Sequence, residues 1–102
     1  MISGFTVEQV FLRSRQGRYE ALLVLLSPSG APHREKIPLA PVGKTKALEQ
    51  LARHLAFRSD VEDVAGTRLR VESADGLQDD AALRRLFVST FRRASEGDGT
   101  WA

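Results

Sequence analysis

Residues 41–48, PVGKTKAL, set Gly43-Lys44-Thr45 at the point where a helix begins. In a phosphate-binding loop, Gly-Lys-Ser/Thr closes a longer pattern. A first glycine lies five residues ahead of the second, a buried strand precedes the loop, and backbone N–H groups wrap the phosphates. Here the first glycine position is Pro38, and Pro41 falls inside the loop. Proline has no N–H to donate. The segment ahead, His33–Leu39, alternates like an edge strand and does not run apolar. These residues predict a plain helix entry, with Gly43 relaxing the backbone and Thr45 as a cap.

Other reactive sets are thin. His33 and His54 are the two histidines, and there is no cysteine. His33 and Glu35 share one strand face, but two ligands fall short of a metal site. Ser3, Ser14, Ser27, Ser29, Ser59, Ser73, Ser89 and Ser95 lie in no Gly-x-Ser-x-Gly context, so none reads as an activated nucleophile. The chain is therefore expected to be non-enzymatic, with no catalytic residue, no metal and no cofactor.

What remains is cationic. Lys and Arg number 15 against 13 Asp and Glu, and 12 of the 15 are Arg, which carries the pI to about 9.5 at a net charge of only +2. Arginine's planar fork grips phosphate oxygens in pairs. Arg15, Arg18, Arg34, Lys36, Arg68 and Arg70 are the candidate nucleic-acid-binding residues, with Arg13 crowding the same hairpin. Two plainer readings stand beside this one. The chain is rich in Arg, Ala, Leu, Val and Gly, as a compositional bias would make it. Glu20, Glu35 and Glu72 also interleave with the cations, as ion pairs on a solvated face would. Tyr19 and Trp101 are the aromatics expected to be exposed, with the phenylalanines read mostly as core. DNA or RNA would then be held by its backbone without base readout. The alternative function is protein interaction or homodimerisation through the edge strand His33–Leu39 or the second helix.

These cations need elements to position them. Thr6–Arg13 reads as a strand, Gly17 as a hairpin turn, and Tyr19–Leu26 as a return strand that is apolar on both faces and central in its sheet. Ser27–Gly30 turns. His33–Leu39 alternates, with Pro38 marking an edge. A helix over about Lys44–Phe57 buries Leu48, Leu51, Ala52 and Leu55. Residues 58–66 read as an acidic loop, Thr67–Ser73 as a strand with Leu69 and Val71 inward, and residues 74–80 as a turn. Asp79 or Asp80 caps a second helix that buries Leu83, Leu86, Phe87, Thr90 and Phe91. The expected fold is α+β, a mainly antiparallel sheet in the order β-β-β-α-β-α with both helices packed on it.

That order resembles the ribonuclease H fold over about residues 5–92, with GRYEALLVLLSPSG as its second strand and RLRVESAD as its fourth. The resemblance implies an Asp in the first strand, a Glu in the first helix and an Asp ending the fourth strand, together holding two divalent cations. Glu8, Glu49 and Asp75 stand nearest those places. The first strand has Glu8 but no Asp, so the resemblance implies a catalytically degenerate member, and a metal-dependent nuclease is the third functional reading.

At 102 residues the chain suits one domain, taken as 1–94, with a flexible tail at 95–102. The start has no basic region followed by an apolar run. The longest apolar run, Ala21–Leu26, is too short for a bilayer, which needs roughly 20 residues. A cytoplasmic protein without a membrane partner is expected.

Overall fold

The computed structural model describes residues 4–96. The elements are β1 (Phe5–Arg15), β2 (Arg18–Leu26), β3 (Pro32–Pro38), α1 (Lys44–Ala56), β4 (Val61–Asp63), β5 (Arg68–Ser73), β6 (Gly76–Asp79) and α2 (Ala81–Ser95). The class is α+β, as expected, but the sheet is mixed and has six strands in the order β3-β2-β1-β5-β6, with β4 also pairing β1. β1–β2, β2–β3 and β5–β6 are antiparallel, while β4 and β5 both run parallel to β1. Strand alternation reports faces, not neighbours, so the parallel pairs escape a reading of pattern. Two short strands correct the loop and turn expected at 58–66 and 74–80. α2 continues through Ser95, with Glu96 as its C-cap; the rest of the expected tail, including Trp101, lies outside the described residues.

The β1–β2 hairpin turns through Gln16 (φ 52°) and Gly17 (φ 83°). Two consecutive positive-φ residues match the twist of the flanking strands. After β2, the Ser27–Gly30 turn closes by hydrogen bonds from Gly30 N–H to Ser27 O (2.8 Å) and from Ser27 N–H to Ala31 O (3.0 Å).

One sheet face is apolar and buried. Val7, Val10 and Leu12 of β1, Ala21, Leu23 and Leu25 of β2, and Leu69 and Val71 of β5 pack with Ala47, Leu48, Leu51, Ala52 and Leu55 of α1 and Leu83, Phe87, Val88 and Phe91 of α2. A fully buried leucine of this kind contributes roughly 1.5–3 kcal/mol. The strand residues facing the other way are half-buried or exposed, so both helices lie on the same side. In β1 the register shifts between Val7 and Gln9. That bulge lets Val7 and Val10, three apart, both face the core.

α1 begins at Gly43, whose φ of −60° and ψ of 162° are ordinary extended values. No side chain caps it, and Thr45 lies inside the helix. The strand before it, β3, is an antiparallel edge strand, which is not the buried parallel strand of a phosphate-binding loop. α2 is capped by Asp80, whose Oδ1 accepts from Leu83 N–H at 3.0 Å. Among the described residues no helix is long and apolar enough to cross a membrane.

Candidate nucleic-acid interface

Cross-strand partners point to the same side of a sheet, so the register assigns each strand residue to a face. Lys36 pairs Leu22, Leu22 pairs Phe11, Phe11 pairs Arg70, and Arg70 pairs Asp79. One row further along, Arg34 pairs Val24, Val24 pairs Gln9, and Gln9 pairs Arg68. Towards the hairpin, Glu20 pairs Arg13 and Arg18 pairs Arg15. All of these side chains stand on the face away from the helices. The six cations singled out from sequence, Arg15, Arg18, Arg34, Lys36, Arg68 and Arg70, thus share one face, although they come from four strands.

The face has a definite layout. Arg34 and Lys36 form a basic ridge on β3, and Arg68 and Arg70 form another on β5. Between them Phe11, Leu22 and Val24 are half-buried, and with Gln9, Arg34 and Lys36 they line a shallow trough. Arg15 and Arg18 stand at one end. Three strand spacings of about 4.8 Å put the ridges roughly 14 Å apart.

Carboxylates offset part of this charge. Arg13 holds Glu20 through Nε at 2.8 Å and through a second, closer contact from Nη2. That hydrogen bond, with lesser attraction from Arg13, Lys36 and Arg15, keeps the Glu20 carboxyl below its ordinary pKa. Arg68 and Arg70 share Asp79 at 3.7 and 3.4 Å, contacts too long for hydrogen bonds, and Asp79 is itself exposed. Arg18, Arg34 and Lys36 have no ion-pair partner among the described residues. The ion-pair reading therefore holds for Arg13 and fails for the β3 ridge.

Glu35 is committed elsewhere. Arg58, just past α1, donates Nη1–H to Glu35 Oε1 at 2.7 Å and Nη2–H to Oε2 at 2.9 Å, while its Nε–H and Nη2–H reach Asp60 at 3.0 and 2.9 Å. This two-sided clamp fastens the chain leaving α1 to β3. Hydrogen bonds from Arg58 hold both carboxyls below their ordinary pKa and push the guanidinium up. His33 lies on β3. Its ring stacks on Phe5 with centroids 5.5 Å apart, and its Nε2 lies 3.5 Å from Glu35.

The aromatics are rearranged relative to expectation. Tyr19 faces the core side and packs against it, so it is no surface stacker. Phe11, read from sequence as core, lies on the uncovered face. Phe57 is 74% exposed at the end of α1. Phe11 was legible only in hindsight, because the bulge at Val7–Gln9 hides the true alternation of β1.

The acids that the ribonuclease H resemblance singled out are not assembled. Glu8 sits in the β1 bulge, Glu49 on α1 and Asp75 in the β5–β6 turn. Among the described residues no group of three His, Cys, Asp or Glu side chains is arranged to hold a metal ion. No protein-family model, curated protein or solved structure matches the chain.

Proposed function

We propose that the protein is a small non-enzymatic module that binds nucleic acid through backbone phosphates, using the helix-free face of its sheet. The observation that carries this reading is the common orientation of Arg15, Arg18, Arg34, Lys36, Arg68 and Arg70, three of them without a carboxylate partner among the described residues. Cations spread over a flat surface suit a polyanion, whose binding is dominated by phosphate neutralisation. Support for a ribonuclease H-like arrangement lacking its metal-binding acids is the succession of an antiparallel β1–β3 meander, α1, β5 and α2.

A second reading, homodimerisation or protein binding, is favoured by the uncovered Phe11, Leu22 and Val24, apolar surface of the kind that interfaces bury. Titration of labelled single- and double-stranded DNA at two salt concentrations, with sedimentation of the free protein, separates the two. Binding that weakens steeply with salt supports the first. A dimer that ignores nucleic acid at low salt replaces it with the second. Metal-dependent cleavage of a hybrid duplex, abolished in Glu49→Ala, would overturn the non-enzymatic assignment.

A further inference from the structure

We infer that the occupant of this face is single-stranded nucleic acid, DNA or RNA, with Phe11 as the platform on which one base stacks. The inference rests on the phosphate-binding reading above and deepens it. Charge selects a polyanion, but charge alone does not distinguish a duplex from a single strand. The trough floor does. Phe11, Leu22 and Val24 occupy the centre of the face between the ridges of β3 and β5 and are left partly exposed to water. A duplex keeps its bases stacked inside and offers this floor only sugars and charged phosphates, which do not bury it. A single strand carries phosphates for the ridges and unstacked base faces for the floor.

Among the described residues Phe11 is the one aromatic on this face, because Phe5 and Tyr19 turn to the core side. It sits mid-strand on β1, flanked by β2 and β5, so the backbone that carries its ring is paired on both sides. Arg70 is its direct partner on β5 and Leu22 its partner on β2. A stacked base would therefore have an apolar neighbour on one side and a cation for its phosphate on the other. One aromatic gives one anchored base and little sequence preference, since every base has a π-face.

The test uses fluorescently labelled oligothymidylate and oligouridylate of about 16 nucleotides, and a DNA duplex of the same length, against the parent protein and Phe11→Leu, Phe11→Tyr and Phe11→Ala. Leu and Tyr keep apolar bulk at a half-buried site, so circular dichroism and thermal melting should match the parent even if Ala loosens the fold. The parent is expected to favour single strands over duplex. Phe11→Leu should lose about ten-fold or more on single strands with its salt dependence unchanged, and Phe11→Tyr should bind like the parent. Oligothymidylate against oligouridylate shows whether RNA is held as well as DNA, the two differing in the 2′-hydroxyl and the thymine methyl. If Phe11→Leu binds as tightly as the parent while neutralising Arg34 and Lys36 weakens binding to every probe, the stacking platform is wrong and the phosphate reading stands. If no probe binds at low salt and the chain sediments as a dimer, both fall, and a second copy covers the floor.

Discussion

The Thr67 hydroxyl donates to the Val7 carbonyl oxygen at 2.8 Å, across 60 residues of chain and inside the core. On this flank β1 is paired first by β4, at Phe5 and Thr6, and then by β5, from Gln9 onward. Val7 and Glu8 fall in the gap. A side chain thus supplies the hydrogen bond that neither strand makes there. Arg84 of α2 fastens the same loop, donating Nε–H to Thr67 O at 2.8 Å and Nη2–H to Ala65 O.

Thr67→Val keeps the shape and removes the donor. It should cost about 1–2 kcal/mol, the penalty for a buried carbonyl left unpaired. Thr67→Ser should retain the bond and lose less. Urea denaturation of the two variants makes the comparison. Equal losses would mean that the methyl group, and not the bond, carries the effect.

The Arg58 clamp predicts an acid-sensitive share of stability. Glu35 and Asp60 both titrate below their unfolded values of about 4.3 and 3.9. Their contribution is therefore complete above roughly pH 5 and is lost as pH falls through the lowered folded values. Arg58→Met should cost about 1 kcal/mol near neutrality, a modest figure because Asp60 is partly solvated. It should also flatten the dependence of melting temperature on pH below about 5. A variant whose acid profile matches the parent's would show the clamp to be energetically idle.

The hairpin turn predicts changes of opposite sign at neighbouring positions. Gly17 has a φ of 83° with open space where a Cβ would go. Gly17→Ala should therefore destabilise by about 1 kcal/mol through backbone conformation alone. Gln16, at φ 52°, is not the residue this turn prefers, and Gln16→Asn should raise the melting temperature slightly. A neutral Gly17→Ala would mean that the turn relaxes to another type.

Salt dependence checks the cationic face. Each neutralised phosphate should contribute about −0.7 to −0.9 to the log–log slope of affinity against salt. Arg34→Gln with Lys36→Gln should make the slope shallower and weaken binding to all sequences alike. Neutralisation is cleaner than reversal at Arg68 and Arg70, because a new carboxylate there would face Asp79. The fold should tolerate the β3 pair, as exposed changes usually cost under about 0.5 kcal/mol. An unchanged slope would remove the β3 ridge from the interface.

Much of this was legible in residue pattern, for physical reasons that also mark where legibility stopped. Leu48, Leu51, Ala52 and Leu55 repeat at helical spacing, and Asp80 precedes a second such stripe, so both helices could be read. Leu69 and Val71 alternate cleanly, which put Arg68 and Arg70 outward. The bulge at Val7–Gln9 broke the alternation that would have shown Phe11 outward. β4 and β6 are short and polar, and their strand character comes from the neighbours they pair with, not from their own residues. The common face of the six cations depends on which strands are adjacent. That is set by α1 crossing the core side and returning the chain beside β1, a long-range choice that no local spacing encodes.

The flank of β1 that waits for β5 also sets an order of events in synthesis. β2 is available after a two-residue turn, but Val7 meets Thr67 only 60 residues later, roughly 3–12 s at ordinary elongation rates. Until α1 and then α2 follow, Val10, Leu12, Leu23 and Leu25 lie open on a growing meander that cannot yet bury them. The meander's outer strand is guarded meanwhile by Pro32 and Pro38 at its ends and by Arg34 and Lys36 between them, features that discourage edge-to-edge pairing. A ribosome-stalled chain ending before Ala81 should be digested by protease at concentrations that spare the released protein. Equal resistance would mean that the meander folds without α2.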